Sequence, residues 1–240
     1  MMKDKFYRLF ITGDRHGCFE DLEYFCQAND TIEGDALVIL GDAGILYYGE
    51  DRAHEKNLKA WLSRLPITLL CVRGNHEARP QSRKNMLCRD FCGGKAYYEE
   101  ACPNVLHLTD GGVYQICGKT ILSIGGAYSV DKELRLAMNY KWFENEELSL
   151  VEMERIYADL LAANLHYDLI LTHTCPEKWI PTDMFIGGID QSKVSRRMEI
   201  FLEGVENIID YDHWYFGHYH GNRDINDKAT MLYQEIRRLM

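Results

Sequence analysis

Apolar and polar positions along the chain switch between a period of two and a period near 3.6, and the switches outline the elements. Residues 6–12 (Phe-Tyr-Arg-Leu-Phe-Ile-Thr) form an apolar, aromatic run that predicts a strand. Over 18–28, Phe19, Leu22, Phe25 and Cys26 recur at helical spacing. Residues 36–40 are continuously apolar, as a strand buried on both faces is. The 52–65 stretch carries Leu58, Trp61, Leu62 and Leu65 on one helical face, and Pro66 stops it. Residues 67–72 predict a third strand. The charged, Cys- and Gly-rich segment 78–103 reads as a loop over the site.

Strands are expected at 104–108, 113–117 and 120–124, the last two joined as a hairpin by Gly118-Lys119. The aromatic, charged stretch around 127–148 reads as a cap-like excursion. Ser149-Leu150-Val151-Glu152 is a capping box, with its helix running to about Asn164. A buried strand at 167–171, a helix at 193–202, a strand at 213–216 and a closing strand at 229–236 complete the pattern.

Composition narrows the function classes. The chain has 240 residues, 46% hydrophobic and 27% charged, which suits a globular protein with a sizeable core. Its net charge of −10 leaves no surplus cation to neutralise a nucleic-acid backbone, so nucleic acid is not expected as a partner. A small phosphorylated substrate remains compatible, because metal ions supply positive charge locally. No run approaches the ~18 apolar residues of a membrane span, so no membrane partner is expected. The charged start, Met1 to Lys5, and Arg8 in the run after it give no signal-peptide pattern. The eight cysteines show no disulfide framework and no clean CxxC pair, so reduced thiols in the cytoplasm are expected.

The strand ends carry the chemistry. The first strand runs into Gly13-Asp14-Arg15-His16-Gly17, where a spacing of two points Asp14 and His16 to one side. The second ends in Gly41-Asp42 and the third in Arg73-Gly74-Asn75-His76-Glu77. The later strands end in Thr172-His173-Thr174 and Gly217-His218-Tyr219-His220. In parallel α/β sheets the ligand crevice lies outside the carboxyl ends of strands. Five of the nine histidines fall in these loops, whereas His54, His107, His166 and His213 do not. Asp14, His16, Asp42, Asn75, His173, His218 and His220 are too many ligands for one ion with open positions. They suit two ions, about 3.5–4 Å apart, that share a carboxylate. Nitrogen and oxygen ligands without thiolate suit Mn first, with Fe, Zn, Ni or Co also accommodated.

The ordered blocks Gly-Asp-x-His, Gly-Asp, Gly-Asn-His-Glu, His and Gly-His-x-His resemble the calcineurin-like metallophosphoesterase superfamily over nearly the whole chain. Residues 125–149 also resemble a stretch of its small bacterial members. The resemblance implies a single domain over 1–240 with a four-layer α/β/β/α sandwich, two mixed sheets flanked by helices. It implies that Asp14, His16 and His220 hold one ion, that Asn75, His173 and His218 hold the other, and that Asp42 bridges them. Two divalent ions against these two carboxylates leave a site charge of about +2, which attracts phosphate. A water bridging the ions would lose a proton near neutral pH and attack phosphorus in line.

The resemblance also implies that His76 contacts the phosphate, beside Asn75, or protonates the leaving group. An imidazole that titrates near pH ~6.5 serves either role. The chain departs from the phosphoprotein phosphatase branch, since Gly41-Asp42-Ala43-Gly44-Ile45-Leu46-Tyr47 lacks that branch's second Asp and its Arg. Arg15 is the first candidate to bind phosphate in its place, with Lys132 and Arg135 behind it. Tyr128, Trp142 and Tyr219 are candidates to line the pocket. The activity expected is hydrolysis of a phosphomonoester or small phosphodiester. Nucleotide pyrophosphohydrolase, nuclease and protein phosphatase are the enzymatic alternatives, and a metal-binding interaction scaffold is the non-enzymatic one.

Overall fold

The computed structural model describes residues 5–185 and 187–240; most of the charged start, residues 1–4, lies outside them. Two mixed sheets dominate it. The first contains β1 (Arg8–Thr12), β2 (Asp35–Ile39), β3 (Thr68–Cys71), β4 (Leu87–Phe91), β5 (Gly94–Glu99), β6 (Cys102–Leu108) and β13 (Arg237–Arg238), in the order β13-β1-β2-β3-β6-β5-β4. The second contains β7 (Gly112–Ile116), β8 (Lys119–Ile124), β9 (His166–Thr172), β10 (Asp210–Phe216), β11 (Arg223–Asn226) and β12 (Ala229–Met231), in the order β11-β12-β10-β9-β8-β7. β1, β2, β3 and β6 run parallel in the first sheet, as do β8, β9, β10 and β12 in the second. The sheet edges are antiparallel.

Alternation along the strands creates the layers. Leu9 and Ile11 of β1, with Val38 and Leu70, face Tyr114, Ile121, Leu169 and Leu171 between the sheets. Phe10, Leu37, Ile39 and Leu69 point the other way, against Leu22 of α1 (Leu22–Ala28) and Leu62 of α2 (Ala53–Leu62). On the far side, Leu122, Ile170, Trp214 and Phe216 pack on α4 (Leu150–Ala163) through Met153, Ile156 and Leu160. The same face packs on α5 (Arg197–Glu206) through Met198, Leu202 and Val205. The result is the expected four-layer α/β/β/α sandwich. The short α3 (Lys132–Ala137) lies in the excursion between β8 and α4. No helix among the described residues is long and apolar enough to cross a membrane.

Several expected elements differ. The segment 78–103 is not a loop throughout: it forms the β4–β5 hairpin at the edge of the first sheet. Cys92 (φ 49°) and Gly93 (φ 94°) supply the left-handed pair that a two-residue hairpin turn needs. Edge exposure hides the alternation, because only Phe91 and Ala96 of this hairpin are fully buried. The β7–β8 turn uses Cys117 and Gly118, one residue earlier than expected. The helix expected at 193–202 starts later, at Arg197, whose amide donates to Ser195 Oγ (3.3 Å). The closing strand is split: β12 belongs to the second sheet and β13 to the first. The residues between them join the sheets, with Leu232 N donating to Phe216 O (2.8 Å) and Gly13 N to Tyr233 O.

His107 is a core histidine of β6, not a site residue. Burial, with Lys59 and Arg83 adding to it, pushes it down to about 3. A folded-state value below the ordinary ~6.5 means that its stabilising contribution is complete above pH ~6.5 and is lost as pH falls from there toward the folded value. His107→Leu is therefore expected to flatten the fall of the melting temperature between pH 6.5 and 4. Parallel melting curves for wild type and variant would refute this reading.

Candidate metal centre

The carboxyl ends of β1, β2 and β3 in one sheet meet those of β9 and β10 in the other, and the chemistry collects where they meet. The loops there are unusual. His16 (φ 48°), Asp42 (φ 46°), His218 (φ 69°) and His220 (φ 53°) all adopt left-handed backbone without being glycine. Such conformations cost on the order of 1–3 kcal/mol each, and they persist where the surroundings over-determine them. Here the fixing bonds are visible. Arg15 N and His16 N donate to Asp42 O (3.1 and 2.7 Å), which ties the first loop to the second. His76 N donates to Asp42 Oδ1 and His218 N to Asp14 Oδ1, both at 2.8 Å.

Each carboxylate is thus held by one oxygen and presents the other. Asp14 Oδ2 is buried and has no hydrogen-bond partner among the described residues. Around it stand His220 Nε2 (3.3 Å) and His16 Nε2 (3.8 Å), and these two nitrogens are 3.0 Å apart. Asp42 Oδ2 faces His173 Nε2 (3.6 Å), His16 Nδ1 (4.0 Å) and His76 Nε2 (4.0 Å). Asn75 Oδ1 lies 2.7 Å from His173 Nε2. Ligand atoms about 2.0–2.2 Å from one ion are separated by about 3–3.6 Å, so these spacings are the edges of a coordination shell. The orphaned Asp14 oxygen is what a cation would satisfy, and the residues present fit metal ions.

Two groups of ligand atoms converge, Asp14 with His16 and His220, and Asp14 with Asp42 and His173. His218 belongs to neither group, but its ring packs edge-on against His173 at 5.0 Å. The electrostatics favour positive charge at this point. Burial opposes a charge on His173, but Asp42 and Asp14 outweigh it and push the imidazole up to about 9. Burial likewise works against the Asp42 carboxylate, yet His173, His76 and His16 hold it well below the usual range. His218, buried beside His173, is pushed down to about 3.

His76 and Arg15 part ways. His76 lies beside Asn75 and Asp42 and lines the adjoining cavity. Burial lowers its pKa; Asp42 opposes this and Arg135 adds to it. Arg15 is buried facing away from the centre. Its guanidinium pairs with Asp21, donates to Gln234 O (3.2 Å) and lies over the Phe19 ring. Of the arginines considered from sequence, Arg135 on α3 is the one that reaches the centre, with Nη2 3.2 Å from His76 Nε2 and Nε 2.8 Å from Asp131 Oδ2. Lys132 instead sits over Trp142. Tyr128 and Tyr219 line the cavity.

Other groups found no signal in the sequence. Asn75 Nδ2 donates to Ser129 Oγ (2.8 Å), and the buried Glu146 takes the Ser129 amide (3.0 Å) and hydroxyl (2.5 Å). With its amide nitrogen held there, Asn75 must aim Oδ1 at His173. Glu77, pushed up to about 8 by burial and by Asp42, accepts from Ala43 N and fixes the turn after Asp42. Arg73 joins β3 to the excursion through Asp110 (3.0 Å), Glu146 O (2.6 Å) and Gly125 O (3.2 Å).

A family model described as calcineurin-like phosphoesterase matches residues 7–222. No curated protein matches the chain significantly. Among solved structures, the chain is similar to TT1561 of Thermus thermophilus, at 16% identity and a TM-score of 0.50, covering 96% of this chain and 90% of that one. At that identity the likeness speaks to the fold.

Proposed function

Since the chain belongs to the calcineurin-like phosphoesterase family, and is thereby a metal-dependent phosphoester hydrolase, we propose that it hydrolyses a phosphomonoester or small phosphodiester at a dinuclear centre. The observation that carries this reading is the pair of carboxylate oxygens, Asp14 Oδ2 and Asp42 Oδ2, ringed by histidine nitrogens at 3.3–4.0 Å. Asp14, His16 and His220 would hold one ion and Asn75, His173 and His218 the other. Asp42 would be shared, because its free oxygen faces His16 of one set and His173 of the other. Asp14 stands in both converging groups and is the alternative bridge. When bound, such ions supply Lewis acidity and lower the pKa of a water nucleophile. Manganese suits the N/O ligand set.

The chain's own residues do the rest. His76 contacts the phosphate beside Asn75 and delivers a proton to the leaving oxygen. Arg135, braced by Asp131, lies against His76 and takes the phosphate-facing position that Arg15 does not occupy. Residues 127–148, tied down by Arg73 and Arg79, act as the cap of a single catalytic domain. The spacing of the eight cysteines, which forms no disulfide framework, supports a reducing, cytoplasmic setting.

With Mn added, the protein is expected to hydrolyse p-nitrophenyl phosphate or bis-p-nitrophenyl phosphate, with two ions per chain by elemental analysis. No turnover of either ester in the metal-loaded protein would overturn the enzymatic reading. His76→Ala is expected to lower kcat about 10²-fold at unchanged metal content. A loss under threefold would exclude acid catalysis by His76.

A further inference from the structure

A cavity of about 400 Å³ opens directly beside the centre and shares Asp42, Asn75, His76, His218 and His220 with it. Its far wall has a different character. Tyr128 on the cap and Ile180, Met184, Phe185 and Val194 from the stretch between β9 and α5 make it apolar. Gln191, Ser195 and Arg196 of the same stretch break that apolar lining, and so does one buried group. Glu199, on the first turn of α5, is 5% exposed and lines the cavity. Thr174 Oγ1 donates to its Oε1 (2.7 Å), while Oε2 is buried with no partner among the described residues. A buried carboxylate oxygen without a donor is costly unless a ligand supplies one.

We propose that this cavity is the leaving-group subsite, and that it takes a phosphoester whose alcohol carries an apolar ring with one hydrogen-bond donor, read by Glu199 Oε2. The inference rests on the phosphoesterase reading above. The phosphoryl group belongs at the His76 end, beside the candidate metal ligands. The ester's alcohol then extends along the apolar wall, and its donor meets Glu199.

Three alkyl phosphates with leaving alcohols of similar acidity test this: ethyl phosphate, 2-phenylethyl phosphate and 2-(indol-3-yl)ethyl phosphate, with the Mn-loaded protein. Burying the ring is expected to raise kcat/KM at least ~30-fold for both ring esters over ethyl phosphate. Glu199→Gln keeps an acceptor for Thr174 and is expected to lower kcat/KM for the indole ester about tenfold more than for the phenyl ester. Phe185→Ser is expected to reduce the advantage of both ring esters over ethyl phosphate, and it decides the apolar part even if the Glu199 variant does not fold. Ring esters within threefold of ethyl phosphate would overturn the subsite. An equal effect of Glu199→Gln on both ring esters would overturn the reading by Glu199. Failure to hydrolyse even p-nitrophenyl phosphate would instead overturn the phosphoesterase reading, and this inference with it.

Discussion

Asp42→Asn is expected to reduce phosphoester hydrolysis by about 10³-fold and to leave the protein short of metal. The substitution is nearly isosteric, and the amide oxygen still accepts the bond from His76 N that Oδ1 holds at 2.8 Å. Loss of the fold is therefore not the expected cause. What disappears is a full negative charge, fully buried, facing His173, His16 and His76. Removing one preorganised donor from an oxyanion site costs about 10²–10³ in kcat, and a shared ligand to two ions is worth at least as much. Steady-state kinetics with excess Mn and metal content per chain would check both halves. Full activity with two ions retained would remove Asp42 from the bridging position.

Gly74→Ala is the second large effect expected, and it acts without touching a ligand's chemistry. A Cβ at Gly74 would overlap the Asp42 carboxylate and its backbone nitrogen. Neither has room to give. The carboxylate is fixed by His76 N, and the backbone at φ 46° is held by the amides of Arg15 and His16. Overpacking of this kind costs about 1–3 kcal/mol of stability. A displacement of about 1 Å at Asp42 costs on the order of 10²-fold in rate. Denaturant unfolding together with kinetics would show both losses, and a variant as stable and active as wild type would mean that the loop is softer than its contacts imply.

Much of the fold was legible because its strands are buried on both faces. The runs at 36–40 and 67–72, each followed within two residues by a glycine and then by an acid or an amide, announce parallel strands that end at a crevice. The capping box at Ser149 to Glu152 is present in full, with Ser149 accepting from Glu152 N and Glu152 accepting from Ser149 N. The β4–β5 hairpin was not legible, because an edge strand exposes the charged residues that a loop also exposes. Nor was the split of the closing strand, since alternation does not say which sheet a residue joins.

The site shows the same division. The ligand candidates stood out in sequence because two-residue spacing at a strand end puts Asp14 with His16, and His218 with His220, on one side. That alternation also turns Arg15 away, toward Asp21 and Phe19. What the sequence by itself determined is therefore local: which strands are buried, where they end, and which side chains with ligating atoms stand at those ends. What only the tertiary structure decided is which loops meet. The contact of Arg135 with His76 spans 59 positions, that of Ser129 with Asn75 spans 54, and that of Thr174 with Glu199 spans 25. The Glu199 oxygen that lacks a partner among the described residues and the candidate ligands likewise come to one cavity from different elements. No local period encodes such distances; packing of the two sheets against each other sets them.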